Sequence, residues 1–96
     1  MVYSTKMFRK SLNTEIRDLI SKCESFGLPE KDCIEASSFL DYHEFGLAFD
    51  TIVTQMFEYN ILIDSELYLQ IEVIARKMSL SGQEYEYISK LIRPSK

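Results

Sequence analysis

The sequence predicts an all-α fold, a single small bundle of four to five helices spanning residues 1–96. Three observations predict it. Apolar side chains recur at three- and four-residue spacing through most of the chain, which is the helical period. No segment alternates apolar and polar residues as a half-buried strand does. A chain of 96 residues is also too short to fill two cores, so one domain is expected.

The first helix is expected from Ser4 to Ser25, with Phe8, Leu12, Ile16, Leu19, Ile20 and Cys23 as its buried stripe. Gly27 then stands where a left-handed C-terminal cap is wanted, and Pro29 suits the first turn of a following helix. That second helix is expected from Pro29 to Phe39, burying Cys33, Ile34 and Ser37. Asp41 and Glu44 have capping-box spacing, and Leu40 can pack on Phe45 as a hydrophobic staple, so a third helix is expected from Asp41 to Tyr59. Its residues Phe45, Ala48, Phe49, Ile52, Val53 and Met56 fall within roughly 140° at about 100° per residue, which makes them the core face. The opposite stripe reads His43, Leu47, Asp50, Thr54 and Glu58. Asn60 ends this helix, and Ile61-Leu62-Ile63 forms an apolar connector tucked under the bundle. Asp64 or Ser65 caps a fourth helix with Leu67, Ile71, Ile74, Ala75 and Met78 as its core stripe. Ser81 and Glu84 repeat the capping-box spacing before a last helix that buries Tyr85, Ile88, Leu91 and Ile92 and closes at Pro94.

Charge narrows the function classes. Residues 1–22 hold five basic side chains against two acidic ones, and residues 76–96 hold the same numbers. Residues 23–75 hold eleven carboxylates against the single lysine Lys31. An anionic block of this density costs self-repulsion in the free protein, which points to a basic partner that gains from it. Nucleic-acid binding through the two basic ends is the alternative, a small regulator whose terminal helices meet phosphates, but the acidic block would repel the same duplex.

Catalytic and metal chemistry find little footing. His43 is the only histidine, it belongs to an outward helix face, and no activated nucleophile stands near it in sequence. Cys23 and Cys33 lack the paired spacing of a zinc site, and Gly27, Gly46 and Gly82 stand apart, so no phosphate-cradling loop exists. Neither enzymatic activity nor a bound metal is expected. Two cysteines are too few for a disulfide scaffold, and the first twenty residues are charged rather than apolar, so the cytoplasm is the expected compartment. Asp64-Ser65-Glu66-Leu67 is similar to the Asp-Ser-Leu that carries phosphopantetheine in acyl carrier proteins, with leucine one residue later. A helix-capping role for Ser65 accounts for the same residues without a prosthetic group, and no cofactor is expected.

An apolar centre inside an acidic rim is the stronger constellation. Leu47 lies amid Asp50, Thr51, Thr54 and Glu58, and Tyr42, Tyr59 and Tyr68 fall within the acidic block. Tyrosines supply rigid contact area with a polar tip, as interface anchors do. The candidate partner-binding set is therefore Asp41, Tyr42, Glu44, Leu47, Asp50, Thr54, Glu58, Tyr59, Asp64 and Glu66.

The stretch His43-Glu44-Phe45-Gly46-Leu47-Ala48-Phe49-Asp50, then Phe57-Glu58-Tyr59-Asn60-Ile61-Leu62-Ile63, then the helix from Ile71 ending Ala75-Arg76-Lys77-Met78-Ser79-Leu80, resembles the small helical immunity proteins of bacterial polymorphic-toxin systems, of the MafI and contact-dependent growth inhibition types. The shared pattern is Glu, a small residue and Ala opening a central helix, a later Glu, a short apolar connector, and a helix ending in Met-x-Leu. It covers residues 40–80; where that family usually has a connector proline, this chain has Leu62. The resemblance implies stoichiometric neutralisation, in the cytoplasm, of a secreted toxin's C-terminal domain, often a nuclease.

Overall fold

The computed structural model describes residues 5–94, with side chains from Phe8 onward. Ser4, where the first helix was expected to begin, lies outside the described residues, as does Lys96 of the basic C-terminal block. Four α-helices follow in order: α1 Thr5–Phe26, α2 Glu30–Asp41, α3 Phe45–Glu58 and α4 Ser65–Lys77. Two 3₁₀ segments, Gly82–Glu84 and Glu86–Leu91, complete the all-α bundle. α1 touches α2, α3 and α4, while α2 and α3 form the closest pair, and the second 3₁₀ segment packs on α3 and α4.

One apolar cluster joins every α-helix and the second 3₁₀ segment, and it holds most of the residues expected from helical periodicity; Phe45 and Met78, expected in the core stripes, are half-buried at the helix ends and pack against it. Leu12, Ile16, Leu19, Ile20 and Cys23 of α1 are buried against Phe49, Ile52 and Met56 of α3 and Leu67, Ile71 and Ile74 of α4 as one core. Phe8 departs from the expected stripe and is exposed, as are Arg9, Lys10 and Ser11. The reason is length: a helix of 22 residues runs about 33 Å, longer than its shorter neighbours can cover. In α2 the buried side chains are Asp32, Cys33, Ala36 and Leu40. Ile34, expected inside, is 62% exposed and Ser37 is half-buried, because α2 turns the 32/36/40 ridge toward the core instead. Asp32 is the one buried charged residue of the described chain; Gln55 Nε2 of α3 donates to its Oδ1 at 3.0 Å.

All four α-helices stop by the same backbone device. The amides of Leu28, Glu44, Ile61 and Leu80 each donate to a carbonyl five residues earlier, at Cys23, Phe39, Met56 and Ala75 respectively. The residue before each of those amides, Gly27, His43, Asn60 or Ser79, has positive φ. This is the Schellman closure, which satisfies carbonyls that the helix end would leave orphaned. It corrects the expected start of α3. Asp41 is the last residue of α2 rather than an N-cap, Glu44 occupies the N-cap of α3 without a side-chain capping bond, and the helix opens at Phe45.

The C-terminal segment also differs from its expectation. Ser81 and Glu84 do form a capping box, with the Ser81 amide donating to Glu84 Oε2 at 3.1 Å. Beyond it the chain is 3₁₀ in two pieces rather than one α-helix. Tyr85, Ile88 and Leu91 are buried, and their strict three-residue interval is the 3₁₀ period, on which i and i+3 eclipse. Ile92 is half-buried and extended, and it forms a single parallel bridge with Ile63. The Ile63 amide donates to the Leu91 carbonyl at 2.9 Å, and the Arg93 amide donates to the Ile63 carbonyl at 2.7 Å, so the apolar connector is tied to the chain's end.

Candidate functional site

α3 carries the core on one side and the candidate surface on the other. Ala48, Phe49, Ile52, Val53 and Met56 are buried, while Leu47 is 47% exposed and Asp50 and Glu58 face solvent. Thr54 is half-buried, and its hydroxyl donates weakly to Asp50 Oδ1 at 3.5 Å. Glu44 lies at the start of this face and Tyr59, 42% exposed, at its end. Tyr42 in the preceding turn is 76% exposed, the most open aromatic among the described side chains. His43 beside it sits edge-on to Phe45, with ring centroids 6.0 Å apart.

The acidic side chains on this face form no ion pair among the described residues. Ion pairs among the described residues are Arg17 with Asp41, Arg76 with Glu72 and Lys77 with Glu15. Glu44, Asp50 and Glu58 take part in none of them. Asp41 differs from the other candidates: Arg17 Nη2 donates to its Oδ1 at 2.9 Å, and Arg17 Nε donates to Asn13 Oδ1 at 2.7 Å. The same pairs tie three of the basic side chains that the alternative reading would offer to phosphates.

Asp64 and Glu66 are not brought to the α3 face. Asp64 is the N-cap of α4, its Oδ1 accepting from the Leu67 amide at 2.8 Å, and Ser65 is the first helical residue. Both acids open onto a groove between α1 and α4 that no α3 residue lines. Tyr68, the third tyrosine of the acidic block, is half-buried near Tyr85, and its hydroxyl pKa is raised by burial and by the nearby carboxylate of Glu72.

Four exposed apolar residues were missed by the sequence reading. Phe57 is 40% exposed and packs edge-to-face on Tyr87 at 5.0 Å, next to the end of the α3 face. Leu62, Leu69 and Val73 are also exposed. For Phe57, Leu69 and Val73 a signal was available: each falls off the core stripe of its helix, and an apolar residue left over on a helical wheel is a surface residue. Leu62 instead corrects the expectation that the whole connector tucks under the bundle: Ile63 is buried and Ile61 half-buried, while Leu62 between them turns outward.

The remaining chemistry is quiet. No group of three or more His, Cys, Asp or Glu among the described residues could hold a metal ion. Burial, reinforced by Cys33, pushes the Cys23 thiol up to about 12. Cys33 is raised by burial, then by Glu24, Asp32 and Glu30. Both sulfurs are thus held as thiols, the unreactive form. No helix among the described residues is long and apolar enough to cross a membrane. The chain matches no protein-family model, no curated protein and no solved structure.

Proposed function

We propose that this protein is an immunity protein that neutralises a basic bacterial toxin domain by stoichiometric binding through the outward face of α3. The observation that carries the reading is a row of acids, Glu44, Asp50 and Glu58, that form no ion pair among the described residues and share the outward face of α3 with the exposed Leu47. Desolvated apolar centres with polar rims are how stable protein interfaces are built. Tyr42 and Tyr59 flank the face and supply area at low entropic cost. The resemblance of residues 40–80 to toxin immunities supports the same partner class, and the protein contributes no chemistry of its own, acting in the cytoplasm where the toxin would otherwise act.

Co-expression with the toxin domain encoded beside its gene tests this reading. Wild-type protein protects the cell. The double reversal Asp50→Lys with Glu58→Lys weakens the complex by about 2–5 kcal/mol where the pairs are desolvated and about 1 kcal/mol where they stay at the rim. The fold itself changes by no more than about 0.5 kcal/mol, because both side chains are exposed and a lysine at position 58, the last residue of α3, sits favourably at the helix C-terminus. A double reversal that protects as well as wild type sinks the proposal.

A further inference from the structure

A groove of about 530 Å³ runs between α1 and α4, on residues separate from α3. Its α1 wall is the ridge Glu15, Asp18, Lys22 and Phe26, which follows one helical face. From Glu15 to Phe26 that ridge extends about 16 Å at 1.5 Å per residue, or three helical turns. Its α4 wall exposes Leu69 and Val73, one turn apart, at 57% and 45%. Large apolar side chains this open on adjacent turns, facing a concave surface, are what a docked helix covers.

We propose that this groove seats a basic amphipathic helix of a partner protein. Charge selects that occupant. Four carboxylates, Glu15, Asp18, Asp64 and Glu66, line the groove against one lining cation, Lys22, and Lys77 beside the groove pairs with Glu15. Asp18 and Glu66 have no ion-pair partner among the described residues, and Lys22 pairs with neither. Apolar side chains of the occupant at i and i+4 fit against Phe26, Leu69 and Val73, while lysines or arginines on its flanks meet Asp18 and Glu66. A nucleic acid or an anionic membrane is repelled by the same rim. A second copy of this chain, net −4, brings like charge to like. The site is independent of the α3 reading, so either can fail alone.

The test uses a designed, fluorescein-labelled helix of leucine and lysine about four turns long, together with a scrambled version and a glutamate-for-lysine version. The wild-type protein binds the amphipathic basic helix, and backbone amide shifts in its NMR spectrum cluster in residues 15–26 of α1 and in residues 64–74, the cap and body of α4. Leu69→Ser with Val73→Ser, which leaves the charge unchanged, weakens binding roughly tenfold or more, and so does Asp18→Lys with Glu66→Lys. The wild-type shift map needs no variant and reads the site even if a substitution harms folding. Equal binding of the scrambled or acidic helix, shifts confined to α3, or a self-associated protein that Leu69→Ser with Val73→Ser turns monomeric each overturns the proposal.

Discussion

The backbone amide of Glu44 donates to the carbonyl of Phe39 at 2.9 Å, and this bond holds His43 between them at φ 58°. The same closure at Gly27 uses a residue with no side chain to strain, whereas His43, Asn60 and Ser79 each carry a Cβ into positive φ. Left-handed backbone costs a non-glycine residue about 1–2 kcal/mol, offset in part by the extra freedom glycine loses on folding. His43→Gly is therefore expected to raise stability by about 0.5–1 kcal/mol. Gly27→Ala is expected to lower it by about 1 kcal/mol or more through the backbone alone, since an added Cβ has room, 3.9 Å from Ile61 Cγ2. Urea unfolding of the two variants checks both signs, and a destabilised His43→Gly would show that the imidazole contributes more than the strain it carries.

The cap of α4 rests on one carboxylate. Asp64→Ala removes the acceptor for the Leu67 amide and is expected to cost about 1 kcal/mol, within the 0.5–2 kcal/mol typical of such caps. Ser65→Ala, one residue on, removes no capping bond and is expected to change stability by less than about 0.5 kcal/mol. Equal losses in the two variants would move the cap to Ser65.

Cys23 makes stability depend on pH at the alkaline end. Unfolded, its thiol ionises near 9.0; folded, burial and Cys33 hold it protonated up to about 12. Above the lower value the unfolded chain releases a proton that the folded chain keeps, so unfolding becomes more favourable as pH rises. The contribution of Cys23 is fully present below about pH 9 and is lost by about pH 12. Denaturant midpoints measured across that window are expected to fall more steeply for wild type than for Cys23→Ala. Parallel slopes would contradict it. Alkylation of Cys23 at neutral pH is expected to follow global unfolding, since the residue has no exposed surface.

If the α3 rim meets a basic toxin domain, encounter is steered by charge. The association rate of the complex is then expected to fall with added salt while dissociation changes little, as screening shortens from about 30 Å at low to about 8 Å at physiological ionic strength. Stopped-flow mixing at two salt concentrations measures it. A rate indifferent to salt would leave the carboxylates Glu44, Asp50 and Glu58 without the role proposed for them.

The helices and their buried faces were legible in the sequence because helical periodicity is local: Phe49, Ile52 and Met56 share a face whatever packs against it. Asn60, a cap at Asp64 or Ser65, and the Ser81–Glu84 box were legible for the same reason, each acting within one turn of itself; the bond from the Leu67 amide decides for Asp64. The end of α2 was not, since His43 is no glycine and the pair Asp41 and Glu44 imitates a helix start; only the closure from Glu44 back to Phe39 settles which helix owns Asp41. The sequence also could not say that Ile34 faces water while Asp32 is buried against Gln55: the two flank Cys33 about 100° to either side, and which side turns inward depends on where α3 sits. Nor could it separate Asp64 and Glu66 from the α3 acids. A sequence records the charge of a segment, but the side of the molecule on which that charge emerges is set by how the helices pack, and here α4 lies along α1 with its acids opening into a groove of its own.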